Sequence, residues 1–295
     1  MTLPQGLVPR PSRIPKTPAP DGACDSHIHM LAGRDEAPLW DSRVEDPAPN
    51  LRYADFMAAY IKQMQDLGIS RTVVVQSILY GTDNSVTAQA VADLNALNGY
   101  AARGIGLVTD AATDADLDRL VEQNLVGVRL NYVHGGVLSW AGVQAMAPRL
   151  AARGLHVQML INTHRHMVEL APQIAALPVP VVLDHIGWPD LALGPDEPGF
   201  QALLNLLKTG NVFVKLSGLY RLCPPPYTAA DAFVAALVAA APTRCLWGSD
   251  WPHIMLADAE QPDSATLLEA LARVCPDEET WHQILVDNPA ALYRF

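Results

Sequence analysis

The chain has 295 residues, of which 50% are hydrophobic, and a formal net charge of −11 at pH 7. This length fits two average domains or one α/β barrel with a large core. There is no basic tract and no apolar run of roughly 20 residues, so we expect neither a nucleic-acid partner nor a membrane span. The N-terminus also lacks the apolar core of a signal peptide, which predicts a cytoplasmic protein.

Four cysteines, Cys24, Cys223, Cys245 and Cys275, are scattered along the chain without CxxC spacing. This distribution argues against a zinc ribbon and against a secreted disulfide scaffold. We expect reduced thiols, with Cys24 and Cys245 buried on the first and last strands.

From residue 23 onward, short apolar runs alternate with segments of helical periodicity. Apolar runs rich in β-branched residues are typical of strands buried on both faces, as in a parallel sheet. The eight predicted strands are residues 23–30, 71–76, 104–108, 126–130, 156–161, 179–184, 212–216 and 245–248. Helices are predicted near residues 53–67, 85–100, 114–124, 140–153, 167–177, 200–209, 229–241, 264–274 and 277–286. Eight such units close a (β/α)8 TIM barrel, so we predict an α/β protein with a single barrel domain, residues 23–295.

Chemically active residues recur at the carboxyl ends of the predicted strands. His27 and His29 end the first strand, and they share one face because side chains alternate along a strand. Arg129 ends the fourth strand, His185 the sixth and Asp250 the eighth. The active site of a (β/α)8 barrel is built at this rim, so these five side chains are predicted to meet there.

Two segments lie outside the predicted elements. Residues 1–22 are rich in proline, which predicts an extended arm that lies on the barrel or stays loose in solution. Residues 31–51 form a long irregular segment directly after the first strand. Loops of this length in compact domains are often functional, so we expect this one to close over the site.

Two kinds of chemistry fit the clustered side chains. Three imidazoles can polarise a carbonyl group as hydrogen-bond donors while Asp250 takes a proton from attacking water. Alternatively, His27, His29 and Asp250 can hold a single divalent metal such as zinc. The fourth strand ends on Arg129 and offers no bridging lysine or glutamate, and a cation there disfavours a bound metal. We therefore predict catalysis without a metal or another cofactor.

Several motifs carry a family resemblance that covers nearly the whole chain. They are residues 23–30, 76–77 with 81–84, 127–131, 184–190, 247–253 and 288–289. Through these motifs the sequence resembles the amidohydrolase superfamily, and within it the 2-pyrone-4,6-dicarboxylate lactonase branch of the family-2 amidohydrolases. The most specific motif is Trp247-Gly248-Ser249-Asp250-Trp251-Pro252-His253. The resemblance implies a hydrolase that opens a carboxylated lactone without a divalent metal.

The resemblance also implies roles for individual residues. At the matching positions, His27, His29 and His185 would bind the lactone carbonyl, and Asp250 would activate water. The expected partner is a small molecule, namely a pyrone dicarboxylate or a related muconate or sugar-acid lactone.

Four further positions would contact the substrate. Arg129 and Arg221 would hold carboxylates, with which a guanidinium pairs bidentately. Ser77 and Thr82, on the loop after the second strand, would donate hydrogen bonds to the same groups.

Two positions depart from the pyrone lactonases, which carry an arginine where this chain has Trp188 and a tyrosine near Leu160. Because a cationic side chain and a phenol are absent at these positions, we expect a less charged or differently shaped substrate. The expected reaction remains the opening of a lactone. His164 and His166 begin the loop after the fifth strand, where they either replace some of the lost polarity or cap a helix at the surface.

Other functions fit the same residues. A sugar-diacid lactone isomerase of the galactarolactone type would give a product of unchanged mass. A zinc-dependent family-2 hydrolase or decarboxylase would contain stoichiometric metal. A binding protein without catalysis would leave Asp250 idle. In each case we expect a monomer or a homo-oligomer.

Overall fold

The computed structural model describes residues 3–256 and 260–295. Its centre is a sheet of eight parallel strands in sequence order, from β1 to β8. The strands are β1 (Cys24–Ile28), β2 (Arg71–Val75), β3 (Ala101–Gly106), β4 (Leu125–Asn131), β5 (His156–Leu160), β6 (Val181–Leu183), β7 (Val212–Leu216) and β8 (Cys245–Trp247). The predicted (β/α)8 barrel is confirmed.

The barrel closes just beyond the end of β8. The backbone N–H of Asp250 donates to the carbonyl of His27 at 2.9 Å, and the N–H of His29 donates to the carbonyl of Trp251 at 2.7 Å. Ile28 and Trp251 form the parallel bridge between the two segments. This closure places Asp250 directly beside the His27–His29 pair, so residues from the two ends of the barrel share one site.

Helices cover the outside of the sheet. They are α1 (Tyr53–Leu67), α2 (Ser85–Ala96), α3 (Asp114–Glu122), α4 (Trp140–Ala152), α5 (Val168–Ala175), α6 (Pro198–Leu207), α7 (Asp231–Ala240), α8 (Ser264–Val274), α9 (Glu278–His282) and α10 (Asn288–Tyr293). Their ends lie within a few residues of the prediction, but a π-helical turn at Gln283–Asp287 interrupts the helix predicted over 277–286. Across residues 3–256 and 260–295, no helix has both the length and the apolar character needed to cross a membrane.

The barrel interior holds its own apolar cluster, separate from the larger one between the strands and the helices. The inner cluster consists of Cys24, Val73, Val75, Ile105, Val182, Phe213, Leu246 and Tyr293. The pairing of β1 with β2 shifts register between Asp25 and Ile28, which marks a β-bulge. The bulge lets His27 face the interior together with Cys24, although strict alternation would put residues three apart on opposite faces.

The cysteines are free thiols, and Cys24 and Cys245 are buried, as predicted. Cys24 belongs to the inner cluster, whereas Cys245 packs in the cluster under the helices. The two thiols therefore lie on opposite faces of the sheet.

The described part of the arm, residues 3–22, lies along the barrel surface. The backbone N–H of Gly6 donates to the carbonyl of Asp46 at 2.8 Å. The guanidinium of Arg13 donates to both carboxylate oxygens of Glu269, at 2.6 and 2.5 Å. Through these contacts the arm touches the segment 31–51 and helix α8.

Candidate active site

A cavity of about 520 Å³ opens at the carboxyl ends of the strands. His29, Arg129, His185 and Asp250 line it, which is four of the five side chains predicted to meet at this rim. The fifth, His27, lies beneath them and is completely buried. The structure thus brings the strand-end residues together where a barrel builds its active site.

Asp250 lies at the centre of the histidine cluster. Its Oδ1 is 3.6 Å from Nε2 of His27 and 3.6 Å from Nε2 of His29. Its Oδ2 is 3.7 Å from Nε2 of His185. The backbone at Asp250 and His185 has φ values of 63° and 54°. Left-handed backbone at residues other than glycine stores strain and is often found at functional sites.

Two neighbours hold the second oxygen of the Asp250 carboxylate. The hydroxyl of Tyr220 donates to Oδ2 at 2.7 Å, and Arg221 contacts the same oxygen through Nε and Nη2 at 3.0 Å each. Within the described residues, Oδ1 has no hydrogen-bond partner. Burial raises the pKa of Asp250, but the charge of Arg221, together with the imidazoles that face the carboxylate, outweighs burial and holds this pKa well below its usual value. Asp250 is therefore an ionised carboxylate with one oxygen held and the other facing the histidines.

His27 and His29 present opposite protonation patterns to that free oxygen. Nδ1 of His29 lies 2.8 Å from the carbonyl oxygen of Val75, which can only accept, so Nδ1 carries the proton and Nε2 carries the lone pair. Nδ1 of His27 lies 3.4 Å from the ammonium of Lys215, which can only donate, and 3.2 Å from Oδ1 of Asp184, which can only accept. Because Oδ1 of Asp184 has no hydrogen-bond partner in the described residues, we assign the hydrogen bond to the Lys215 contact, so Nδ1 accepts and Nε2 carries the proton. Burial lowers the pKa of both rings, which keeps them neutral.

A buried polar network supports His27 from below. Lys215 Nζ donates to Oε1 of Gln158 at 2.6 Å, and Nε2 of Gln158 donates to Asp184 at 3.1 Å. Asp184 Oδ1 is 3.2 Å from Nδ1 of His27 and 3.7 Å from Lys215 Nζ. Burial lowers the pKa of Lys215 to about 8, with Asp184 opposing that shift, so the amine is mostly protonated at neutral pH.

Sequence reasoning assigned no role to these supporting residues. Lys215 was part of the seventh predicted strand, and Asp184 part of a family motif. A lysine inside an otherwise apolar strand was the available signal, because an isolated charge is rarely buried without a partner. Tyr220, which holds Asp250, follows β7 without a comparable signal.

The predicted substrate-binding residues separate into two groups. Arg129 and Arg221 both line the cavity. Ser77 and Thr82 do not, because the chain after β2 folds into a short 3₁₀ turn at Ile78–Tyr80. Ser77 Oγ accepts the backbone N–H of Leu79 at 3.3 Å and caps that turn. Thr82 lines a separate surface groove of about 410 Å³, and Ile78 faces the cavity in their place.

The cavity walls are mainly apolar. The segment 31–51 contributes Trp40, Ser42 and Val44, so it does form part of the wall. Trp188 and Leu160, the two positions that depart from the pyrone lactonases, also line the cavity. The ring of Trp188 packs edge-on against His185 with centroids 5.7 Å apart.

The histidine-rich segment after β5 takes no part in the cavity wall. His164 and His166 lie in a π-helical turn, Thr163–Met167. His166 Nδ1 accepts the backbone N–H of Asn162 at 3.2 Å. This segment therefore stabilises the local turn and does not supply polarity to the site.

The spacing of the donor atoms fits one divalent cation. His27, His185 and Asp250 offer ligand atoms within 4.8 Å of one another, and Nε2 of His27 has no hydrogen-bond partner in the described chain. Imidazole nitrogen and carboxylate oxygen are ligands that zinc accepts. The local charge opposes a cation, because Lys215 faces the other nitrogen of His27 and Arg221 already pairs with Asp250.

Comparison with known proteins gives a family and several relatives of this chain. The sequence model of the amidohydrolase family matches residues 24–295. The chain is 33% identical over 293 residues to a 2-pyrone-4,6-dicarboxylate hydrolase of Comamonas testosteroni (95% of this chain, 92% of the relative). It is 34% identical over 284 residues to a 4-sulfomuconolactone hydrolase of Rhizobium radiobacter (93% and 90%). It is 30% identical over 293 residues to a D-galactarolactone isomerase of Agrobacterium fabrum (98% and 97%).

The family match begins at the first residue of β1 and runs to the end of the chain, so it covers every strand that builds the cavity. The relatives align over nearly all of this chain and nearly all of their own length. The chain therefore belongs to the amidohydrolase family.

Proposed function

We propose that this enzyme hydrolyses the ring ester of a small carboxylated lactone without a metal ion. The observation that carries the proposal is the free Oδ1 of Asp250, which lies 3.6 Å from a protonated Nε2 on His27 and 3.6 Å from an unprotonated Nε2 on His29. This arrangement offers an acceptor for water and a donor for a carbonyl oxygen beside one carboxylate oxygen. The hydrolases of pyrone dicarboxylate and sulfomuconolactone among the relatives support a lactone as the substrate.

In the proposed reaction, water attacks the lactone carbonyl carbon. Asp250 Oδ1 takes one proton of this water, and Nε2 of His29 accepts a hydrogen bond from the other. The low pKa of Asp250 keeps it ionised, although it also makes it a weak base. Polarisation of the carbonyl must therefore supply much of the rate acceleration.

Polarisation comes from His27 and His185. The Nε2–H of His27 donates to the carbonyl oxygen as negative charge develops there. His185 Nδ1 lies 3.0 Å from the hydroxyl of Ser217, which can donate to it and leave Nε2–H as a second donor. The ring C–O bond then breaks, and the proton held by Asp250 passes to the leaving oxygen. His29 thus acts on water in this mechanism, and not on the carbonyl as its sequence position suggested.

Two alternatives use the same residues. A lactone isomerase would form a new ester between the released carboxyl group and another hydroxyl of the same molecule. The D-galactarolactone isomerase among the relatives supports this alternative. In a zinc enzyme, His27, His185 and Asp250 would hold the ion, which would polarise the carbonyl and acidify water. The protonated Nε2 of His27 and the nearby cations argue against that ion.

The test is ultraviolet absorbance of 2-pyrone-4,6-dicarboxylate mixed with chelator-treated enzyme, with Asp250→Asn as the matched control. Loss of the pyrone absorbance band with the wild type, but not with Asp250→Asn, supports metal-free hydrolysis. Activity that returns only after zinc is added would overturn the metal-free mechanism. If the pyrone is inert, sugar-diacid and muconate lactones follow, with mass spectrometry to separate hydrolysis from isomerisation. A cytoplasmic location remains part of the proposal.

A further inference from the structure

The two arginines in the cavity differ in how their charge is balanced. Arg221 contacts Oδ2 of Asp250 through both Nε and Nη2 at 3.0 Å, and Nη2 also donates to the carbonyl of Ile254 at 3.2 Å. Its charge is therefore neutralised by the carboxylate beside it. Arg221 orients Asp250 and offers little to a second anion.

Arg129 has no such partner. No carboxylate in the described chain lies within ion-pair distance of it, and its one hydrogen bond goes from Nη1 to the backbone carbonyl of Gln76 at 2.9 Å. Its Nε is buried without a hydrogen-bond partner in the same residues, and the side chain is only 8% exposed. A buried cation is costly unless an anion pairs with it, and Asp184 and Asp250 act on Arg129 only from beyond ion-pair distance, so Arg129 is placed to pair with an anion that a ligand brings.

The rest of the cavity wall has the opposite character. Its apolar side chains are Trp40, Val44, Ile78, Leu160, Trp188 and Met255. Among the described residues, Arg129 and Arg221 are the only lysine or arginine side chains that line it. Ser42, Asn131 and His134 add polar groups but no further fixed positive charge.

We propose that the natural substrate is a lactone with one carboxylate, bound by Arg129, and an uncharged alkyl or aryl substituent that packs against the apolar wall. This inference rests on the proposed lactone hydrolysis and narrows its substrate class. Hydrolysis adds water across the ring ester, breaks the C–O bond and yields a hydroxy acid with two carboxylates. A dicarboxylate substrate would bring a second anion to a wall whose described residues hold no unpaired cation besides Arg129.

Matched δ-lactones test this substrate class. The first carries one carboxylate and a phenyl group, the second replaces the phenyl by another carboxylate, and the third is the methyl ester of the first. We expect kcat/KM for the phenyl monocarboxylate to exceed that of the dicarboxylate by roughly tenfold or more. We expect kcat/KM for the methyl ester to be about 10- to 100-fold lower than for the free acid, mostly through a higher KM, because one charge-assisted contact to Arg129 is lost.

Two variants test whether the charge or the shape of the cavity wall determines the substrate preference. Arg129→Gln should make the acid and its methyl ester equally good substrates. Val44→Arg adds a guanidinium at the rim, where Val44 is 57% exposed, and should improve the dicarboxylate relative to Val44→Met, its uncharged control. A wild type that prefers the dicarboxylate, or an acid preference that survives Arg129→Gln, would overturn the inference and leave lactone hydrolysis standing.

Binding of non-hydrolysable analogues separates failure of the inference from failure of the proposed function. The corresponding tetrahydropyrans, with a ring ether in place of the ester, are titrated calorimetrically into wild type and Arg129→Gln. Tighter binding of the phenyl monocarboxylate, lost in Arg129→Gln, supports the substrate class even when no lactone is turned over. Equal or tighter binding of the dicarboxylate refutes it.

Discussion

The ammonium of Lys215 lies 3.4 Å from Nδ1 of His27, and both side chains are completely buried. An ammonium cannot accept a hydrogen bond, so this contact selects the His27 tautomer whose Nε2–H points toward Asp250. The neighbouring His29 has the other tautomer, because Val75 accepts from its Nδ1. One lysine thus distinguishes the functions of two histidines that the sequence presents as equivalent.

Replacing Lys215 should therefore reduce turnover more than binding. In Lys215→Met, Asp184 loses its cation and His27 can turn its Nδ1–H toward Asp184, which removes the proton from Nε2. We expect kcat to fall by about 10- to 100-fold with KM little changed. Breaking a buried ion pair should also cost about 3 kcal/mol of unfolding free energy in urea.

Lys62→Met is the control for Lys215→Met, because Lys62 also pairs with an aspartate, Asp66, but its own side chain is 58% exposed. Its loss should change stability by less than about 1 kcal/mol and leave kcat unaltered. Nitrogen NMR of labelled histidine would show the His27 tautomer directly. A Lys215→Met enzyme with the wild-type tautomer and wild-type kcat would refute the role of Lys215.

Removing the charge of Asp250 should abolish hydrolysis while preserving the fold. Asp250→Asn keeps the shape of the side chain, but it cannot take a proton from water, so kcat should fall by at least about 10²- to 10⁴-fold. Asp83→Asn, on the surface loop after β2, should leave kcat unchanged. Circular dichroism and rates on the same lactone check both variants, and substantial residual turnover by Asp250→Asn would point to another base.

The sequence predicts those features of the structure that leave a periodic pattern of apolar residues along the chain, and it does not predict those that leave none. Eight apolar runs separated by helical periodicity determine the barrel, and strand ends determine which residues share its rim. The β-bulge at Asp25–Ile28 has no periodic signature, and neither has the 3₁₀ turn that removes Ser77 and Thr82 from the cavity. The contact between Lys215 and His27 joins β7 to β1 across the barrel, and no local pattern encodes it.

The docked arm should come loose in acid. The hydrogen bonds from Arg13 lower the pKa of Glu269 to about 2, from an ordinary value of 4.5. Since the folded carboxylate binds a proton less readily than the unfolded one, its stabilising effect is complete above pH 4.5 and is lost as the pH falls toward 2.

Glu269→Gln should consequently lower the melting temperature at pH 7 but have little effect at pH 2.5. Arg13 is 42% exposed, so the loss at pH 7 should be about 1 kcal/mol or less. Arg10→Ala is the control on the same arm, because Arg10 makes no ion pair within the described residues. A Glu269→Gln effect that is independent of pH would show that the pair does not hold the arm.

The close packing of Gly248 against His27 gives a prediction about geometry alone. A Cβ added at Gly248 would lie 2.6 Å from Cβ of His27 and 2.9 Å from its backbone nitrogen. Neither atom can move without shifting β1, so Gly248→Ala should displace His27, cost about 1–3 kcal/mol of stability and reduce kcat. Gly136→Ala is the control for stability only, because an added Cβ there meets nothing within 4 Å but the position lines the cavity. Urea unfolding of both variants and steady-state kinetics of Gly248→Ala against the wild type provide the measurement, and a Gly248→Ala enzyme with wild-type stability and kcat would show that the position of His27 tolerates more movement than the packing implies.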